Sequence, residues 1–235
     1  MKYDPTKDHR RSIRLKGYDY RNEGAYFVTI CTKNRECVLD DPIVTQIIIA
    51  VWQALPQWFP TIELDEFVAM PNHVHFVVWI LDGSVGMPLA GVLDADERND
   101  NAGTSLAGVL HDDEKDGGEP RPYVPKPQKI NTDPALGDIV GAFKSLVFTA
   151  YLDWIEKNDP SRRAKFWQGN YYEHIVRNDR ELDAIRQYII DNPINWETDR
   201  DNLENLNKLP PPEKIDDYLE DLKQFMSQDS NSPQR

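Results

Sequence analysis

Apolar residues recur along the chain with two periods, and these periods predict the secondary structure. Alternating or β-rich runs predict strands, whereas repeats every three to four residues predict helices. Strands are predicted over residues 25–32, 62–70, 73–81 and 166–176, and helices over residues 43–59, 136–158 and 179–192. The order strand, helix, strand, strand, helix, strand, helix is that of a split βαβ unit. We therefore predict an α+β, ferredoxin-like sandwich with helices packed on one face of an antiparallel sheet.

Three segments fall outside this pattern. Residues 83–135 are rich in Gly, Asp, Asn and Pro, and the stretch Leu89–Glu97 recurs closely as Leu106–Glu114. Such composition is typical of a low-complexity loop that tolerates insertions and local duplications. The predicted organisation is a basic arm (residues 1–24), a body (25–82 and 136–196), an acidic insert (83–135) and an acidic tail (197–235) with a short amphipathic helix over residues 215–226.

Two histidines begin the strand at residue 73. Because side chains alternate along a strand, His73 and His75 lie on one face, about 6–7 Å apart. The residues that follow are apolar on both faces, which indicates a strand covered on both sides. Neutral imidazole is the commonest metal ligand, so the pair could hold one divalent ion. Two hydrogen-bonded polar residues at the start of a strand remain an equally simple interpretation.

The helix predicted over residues 179–192 carries a second candidate group. Asn178 can cap its start and Pro193 ends it. Tyr188 and Asn192 are one turn apart and therefore share a face, about 6 Å from each other. Periodicity alone is satisfied equally by a core tyrosine and by a reactive phenol beside a metal-ligating amide.

The net charge of −13 is unusual for a nucleic-acid-binding protein. The acidity is concentrated in the insert and the tail, each of which carries 10 acidic against 5 basic residues, so the body is nearly neutral. Basic clusters remain before the first strand, where Arg11, Arg14 and Lys16 precede Tyr18, and at Arg162 and Arg163. Arginine beside an exposed aromatic ring suits single-stranded nucleic acid, but a solvated surface would show the same residues.

Three blocks of sequence resemble one known family. Met70-Pro71-Asn72-His73-Val74-His75-Phe76 resembles the motif of the HUH single-tyrosine nucleases, in which a hydrophobic residue separates two histidines. The stretches Phe166–His174 and Arg186–Pro193 are similar to the tyrosine helix region of the insertion-sequence 200/605 transposases, in particular their REP-associated branch. The segments around Arg11–Leu15 and Tyr26–Thr32 also resemble that branch.

The resemblance implies the HUH nuclease fold and a specific chemistry. Tyr188 would be the nucleophile that forms a 5′-phosphotyrosine link, and His73, His75 and Asn192 would hold Mg²⁺ or Mn²⁺. The implied partner is single-stranded or hairpin DNA, with candidate contacts at Arg11, Arg14, Lys16, Tyr18, Lys144, Arg162 and Arg163. Two alternatives stay open: a domesticated, non-catalytic protein that binds such DNA, and a hydrolase unrelated to DNA that uses only the histidine pair.

The apolar runs and the cysteines of the chain indicate its cellular location. No apolar run approaches the roughly 18 residues of a membrane span, and the two cysteines, Cys31 and Cys37, match no disulfide or zinc framework. We therefore expect a cytoplasmic monomer or homodimer with reduced thiols and no membrane partner.

Overall fold

The computed structural model describes residue 15, residues 17–83, 125, 127, 129–199 and 201–206. The strands are β1 (Gly24–Cys31), β2 (Ile62–Met70), β3 (His73–Ile80) and β4 (Tyr172–Ile175). The α-helices are α1 (Pro42–Ala54), α2 (Leu136–Asn158), α3 (Asp179–Asp191) and the short α4 (Leu203–Leu206). Arg11, Arg14, Lys16, most of the insert and the helix predicted over residues 215–226 lie outside the described residues.

The four strands form one sheet in the order β2-β3-β1-β4, and all neighbours are antiparallel. The strand that carries the histidines is therefore hydrogen-bonded on both sides. Its register places His73 opposite Cys31 and His75 opposite Thr29 of β1. The predicted α+β class and the central position of the histidine strand are confirmed.

The helices cover both faces of the sheet, which corrects the expectation that they pack on one. Alternate residues of β1, such as Val28, join a large core with α1 and α2. The intervening residues, such as Phe27, join a smaller core with Leu182, Ile185 and Ile189 of α3. Because β1 and β3 are apolar on both faces, each face must be removed from water, and α3 covers the second one.

Several element boundaries differ from the predictions for local reasons. The first α-helix ends at Ala54 and continues as a 3₁₀ turn over Leu55–Gln57. Pro56 lies in this turn, and because proline has no backbone N–H it cannot continue the α-helical hydrogen bonds. The fourth strand is shorter than predicted, and Trp167 makes only an isolated bridge with Thr32. The second helix has the predicted bounds.

The chain leaves and re-enters the described body at nearly the same place, at the end of β3. The Thr61 hydroxyl donates to the carbonyl of Thr132 at 3.3 Å, and the Leu81 N–H donates to the Thr61 carbonyl at 2.8 Å. Gly83 is also close to this point: a Cβ atom added to it would lie 3.5 Å from the carbonyl oxygen of Thr132. This junction lies at the opposite end of β3 from the histidines.

The edge strand β2 contains a β-bulge between Leu64 and Phe67, where its register with β3 shifts. Asp65 and Glu66 occupy the bulge. Within the part of the chain that the structure describes, no helix is long and apolar enough to cross a membrane.

Candidate metal and nucleophile site

The histidine pair lies on the sheet face covered by α3. His73 and His75 are 0% and 1% exposed. Their ring centroids are 4.4 Å apart and the rings are inclined by 67°. Because both neighbours of β3 are strands and α3 lies above, the two imidazoles are held in a closed environment.

Each imidazole is oriented through its Nδ1 atom. His73 Nδ1 lies 2.8 Å from Oδ1 of Asn72, and His75 Nδ1 lies 2.8 Å from Oγ1 of Thr29. Thr29 is placed there by the register, since directly opposite residues in a sheet share a face. Such partners commonly fix the ring orientation of metal-binding histidines.

The other nitrogen of each ring makes no hydrogen bond of ordinary geometry, although the Asn192 side chain lies close enough to His73 to raise its pKa. Nε2 of His73, Nε2 of His75 and Oδ1 of Asn192 are all buried without a hydrogen bond. Asn192 is the C-cap of α3, is 3% exposed, and its amide lies beside the His73 ring. Buried polar atoms are rarely left unpaired, so these three atoms make this place a candidate ligand site.

The three atoms fit a divalent cation. Two imidazole nitrogens and one amide oxygen form a mixed donor set that divalent ions accept. Among the described residues, no group of three or more His, Cys, Asp or Glu side chains is placed to hold a metal. The amide oxygen of Asn192 is the third donor that the resemblance implies, and its role stays a prediction.

Burial keeps both imidazoles neutral, which is the form that binds metals. Burial, together with the positive charge of Arg35, lowers the pKa of His73 to about 3, although the Asn192 amide partly offsets this. Burial and the neighbouring His73 place the pKa of His75 well below its usual value.

Tyr188 lies beside His75 of this pair. Its ring centroid is 5.4 Å from that of His75 and 6.2 Å from that of Phe27, which it meets edge to face. The side chain is half-buried, with its ring at the margin of the smaller core. The tyrosine therefore packs on the core and also adjoins one of the two imidazoles, and its reactivity stays a prediction.

An ion pair anchors α3 to the sheet two residues before the tyrosine. Arg186 donates from Nε to Oδ1 of Asp65 at 2.8 Å and from Nη2 to Oδ2 at 2.6 Å. Trp79 Nε1 also donates to Asp65 Oδ2, at 2.8 Å. Burial alone would raise the pKa of Asp65, but the hydrogen bonds from Arg186 and Trp79 outweigh it and lower the pKa.

Sequence reasoning missed two residues beside the site. Asp201 is 2% exposed, and its Oδ1 lies 2.5 Å from Nη1 of Arg35. Its Oδ2 lies 3.9 Å from Nδ1 of His73. Asp201 follows α3 in the segment assigned to the acidic tail, where no periodicity marks a buried residue. Arg35 and Asn34 both have φ near +57°, an uncommon conformation for side-chain-bearing residues.

Two of the predicted DNA contacts are engaged elsewhere in the protein. The Tyr18 hydroxyl lies 3.2 Å from that of Tyr26, and the Tyr18 ring packs against the larger core. Lys144 Nζ donates to the carbonyls of Gln168 at 2.5 Å and Gly169 at 3.1 Å. Lys144 belongs to α2, on the face opposite the histidines.

The basic cluster before β4 is also separate from the histidine pair. Arg162 pairs with Asp41 and Asp159, and its guanidinium lies 5.3 Å from the centroid of the Trp154 ring. Arg163 is exposed. The roles of these residues in binding DNA stay predictions.

An antiparallel sheet with an imidazole pair on a central strand, beneath a helix that carries a tyrosine, is the arrangement predicted from the sequence. No family model matches the chain. The chain is 37% identical over 210 residues to an uncharacterized protein of Haemophilus influenzae, an alignment that covers 85% of this chain and 96% of that protein. The chain belongs to the same family as this Haemophilus protein.

Two solved structures are similar to the chain. One is a REP-associated tyrosine transposase bound to a REP hairpin, with a TM-score of 0.41, 16% identity, and coverage of 79% of this chain and 74% of that one. The other is a proposed transposase from Deinococcus radiodurans, with a TM-score of 0.34, 16% identity, and coverage of 77% and 97%. Both are of the class that the motifs indicated, and at this similarity they carry no argument about chemistry.

Proposed function

We propose that the chain is a transposase-like, metal-dependent single-strand DNA endonuclease and strand transferase that uses Tyr188 as its nucleophile. The observation that carries this proposal is the group of three buried donor atoms without a hydrogen bond on His73, His75 and Asn192, with the Tyr188 ring 5.4 Å from the His75 ring. Neither a structural tyrosine nor a structural histidine pair accounts for that combination.

The reaction is an exchange of one phosphodiester for another. The Tyr188 oxygen attacks the phosphorus and loses its proton, the bond from phosphorus to the 3′ oxygen breaks, and that oxygen leaves as a 3′-hydroxyl after taking up a proton. The product is a 5′-phosphotyrosine link. Because the link conserves the energy of the original bond, the 3′-hydroxyl of a second strand can reverse the reaction without ATP.

The proposed metal ligands and the proposed nucleophile have separate roles. A divalent ion such as Mg²⁺ or Mn²⁺, held by His73, His75 and Asn192, would supply Lewis-acid polarisation of a non-bridging phosphate oxygen. Tyr188 is only partly buried, so we propose that a DNA backbone reaches its hydroxyl, whereas the buried histidines are shielded from solvent.

The proposed substrate is single-stranded DNA beside a hairpin. A paired duplex would hold its backbone away from a nucleophile at the margin of a core, whereas a single strand can bend toward it. Phosphate contacts are proposed for Arg11, Arg14 and Lys16 in the arm, for Lys144, and for the exposed surface around Arg162 and Arg163, with Tyr18 as a stacking platform.

The experiment is to incubate the protein with a panel of labelled single-stranded hairpins and Mn²⁺ and to resolve the products on a denaturing gel. We expect a covalent protein–DNA adduct that maps to Tyr188 and does not form in EDTA. Hairpin binding without an adduct across the panel would instead favour a DNA-binding protein that has no catalytic activity.

A further inference from the structure

Asn72 makes a set of contacts that goes beyond the turn between β2 and β3. Its side chain is fully buried and uses every polar atom. Nδ2 donates to the carbonyl of Asp201 at 2.6 Å and to that of Arg35 at 3.1 Å. Oδ1 lies 2.8 Å from Nδ1 of His73.

These contacts determine which nitrogen of His73 carries its proton. Backbone carbonyls only accept hydrogen bonds, so the NH₂ group of Asn72 must face Arg35 and Asp201, and the amide oxygen must face His73. That oxygen can only accept, which requires a proton on Nδ1 of His73. A neutral imidazole carries one proton, so Nε2 is left with a free lone pair.

Two distant parts of the chain hold Asn72 in this orientation. Its two carbonyl partners lie 37 and 129 residues away in sequence. Those partners are joined to each other by the ion pair between Arg35 and Asp201. The Asp201 carboxylate lies 3.9 Å from His73 Nδ1 and also favours a proton there.

The second histidine has no such constraint. The Thr29 hydroxyl beside His75 Nδ1 can either donate or accept, so it orients the ring without selecting a tautomer. The two imidazoles are therefore supported differently, although their Nε2 atoms are equally buried and unpaired.

We propose that Asn72, held by Arg35 and Asp201, is a positioning residue that fixes His73 as the Nδ1–H tautomer and thereby presents the Nε2 lone pair to the site. The use of that lone pair as a metal ligand rests on the proposed function. The tautomer itself does not depend on metal, DNA or the chemistry of Tyr188.

The first measurement is the tautomer of His73 in the metal-free wild-type protein, read from long-range ¹H–¹⁵N NMR couplings of the imidazole. We expect the proton on Nδ1. A proton on Nε2 would overturn the proposal, and this holds whether or not any variant folds.

The second measurement compares two buried asparagines. Asn205 also donates from Nδ2 to two backbone carbonyls, those of Glu197 and Asp199, but it contacts no histidine. Asn72→Leu and Asn205→Leu therefore remove similar hydrogen bonds, and only Asn72→Leu removes the partner of His73. We expect Asn72→Leu to give mixed His73 tautomers and to weaken Mn²⁺ binding by about 10- to 100-fold, while Asn205→Leu keeps the wild-type tautomer and Mn²⁺ affinity.

The outcomes separate this inference from the proposed function. Equal Mn²⁺ affinities and equal tautomers in the two variants would overturn the role of Asn72. A wild-type protein that shows the Nδ1–H tautomer but binds no Mn²⁺ would overturn the proposed metal site and leave the tautomer assignment standing. Mn²⁺ binding with the expected tautomer but no DNA adduct would contradict only the proposed reaction.

Discussion

The two halves of the candidate site are built in different ways. In the ligand half, two of the three proposed ligands are part of a central strand: His73 and His75 are buried, and each Nδ1 has a partner. The third, Asn192, is the C-cap of α3. The nucleophile half lies on α3, where Tyr188 is only half-buried. That helix is attached by a small apolar cluster and by the ion pair between Asp65 and Arg186.

The difference matches what each half must do. Metal ligands bind best when their geometry is fixed before the ion arrives, because ordering them afterwards costs free energy. A nucleophile that attacks a large substrate must instead be reachable from solvent. The sheet provides the fixed half, and the edge of a helix provides the accessible one.

Removal of the phenol should have the largest effect and should leave the ligand half intact. Tyr188→Phe keeps the ring contacts with Phe27 and His75 but lacks the attacking oxygen. We expect the covalent adduct to fall to background while Mn²⁺ affinity, hairpin binding and thermal stability stay near wild type. Tyr172→Phe is the matched control and should keep the adduct; an adduct that persisted in Tyr188→Phe would refute the assignment.

Removal of a ligand should have the reverse pattern, with metal binding lost first. His73→Ala and His75→Ala should each abolish Mn²⁺ binding and cleavage, whereas Asn192→Ala should weaken both less, because a neutral amide is the poorest of the three ligands. Titration calorimetry with Mn²⁺ measures this directly. Undiminished cleavage in EDTA would contradict the whole site.

Mn²⁺ affinity should fall as the pH falls through the pKa of the histidine ligands, because protonated imidazole cannot bind a metal. Because burial holds the pKa of His73 to about 3, protons compete with the metal only at strongly acidic pH. We expect Mn²⁺ affinity to change little between about pH 7 and about pH 5, a range in which an ordinary histidine, with a pKa near 6.5, becomes protonated. A steep loss of affinity near pH 6.5 would show that the imidazoles are exposed.

Weakening the anchor of α3 should affect the nucleophile half most, because only Asn192 of the three proposed ligands belongs to that helix. Asp65→Asn removes the charge that holds Arg186, a charged hydrogen-bonded pair worth about 1–3 kcal/mol. We expect the adduct to form roughly tenfold more slowly and Mn²⁺ affinity to fall by less than that, since His73 and His75 stay in place on the sheet. Asp183→Asn is the control, since Asp183 is exposed and reaches Arg186 only at 3.5 Å. Equal rates in the two variants would show that this anchor does not position Tyr188.

A smaller effect is expected from the basic arm, which belongs to neither half. Binding to single strands weakens by about 0.7 log units per phosphate contact for each tenfold rise in salt. The double variant Arg11→Ala, Arg14→Ala should lower hairpin affinity and reduce the salt slope by about two contacts, without changing the rate of adduct formation at saturating DNA. An unchanged slope would move the search for phosphate contacts to Lys144, Arg162 and Arg163.

Most of the local structure could be predicted from the sequence, because its signals are local. The Asn178 cap of α3 is present, with Oδ1 accepting from the Glu181 N–H at 3.0 Å. The face shared by His73 and His75 follows from strand alternation. The expected continuation of α3 through Asn192 was off by one residue, since Asn192 is the C-cap.

What could not be predicted depends on contacts between distant segments. Nothing near Asp201 indicates that its carbonyl meets Asn72, which is 129 residues away. Likewise, Arg162 is one of several arginines that looked available for DNA, and its pairing with Asp41 depends on how α1 lies against α2. Periodicity gives the apolar face of α3 but does not say which face of the sheet it covers.

The bulge in β2 has a consequence for how copies of the protein meet. β2 forms one outer edge of the sheet, and an exposed edge offers unpaired backbone groups to a strand of another molecule. Here that edge is interrupted at Asp65 and Glu66, close to Glu63, so an incoming identical strand would meet both a break in register and like charges. The opposite edge, β4, has only four residues. Both margins of the sheet thus discourage the sheet-to-sheet joining that leads to aggregation.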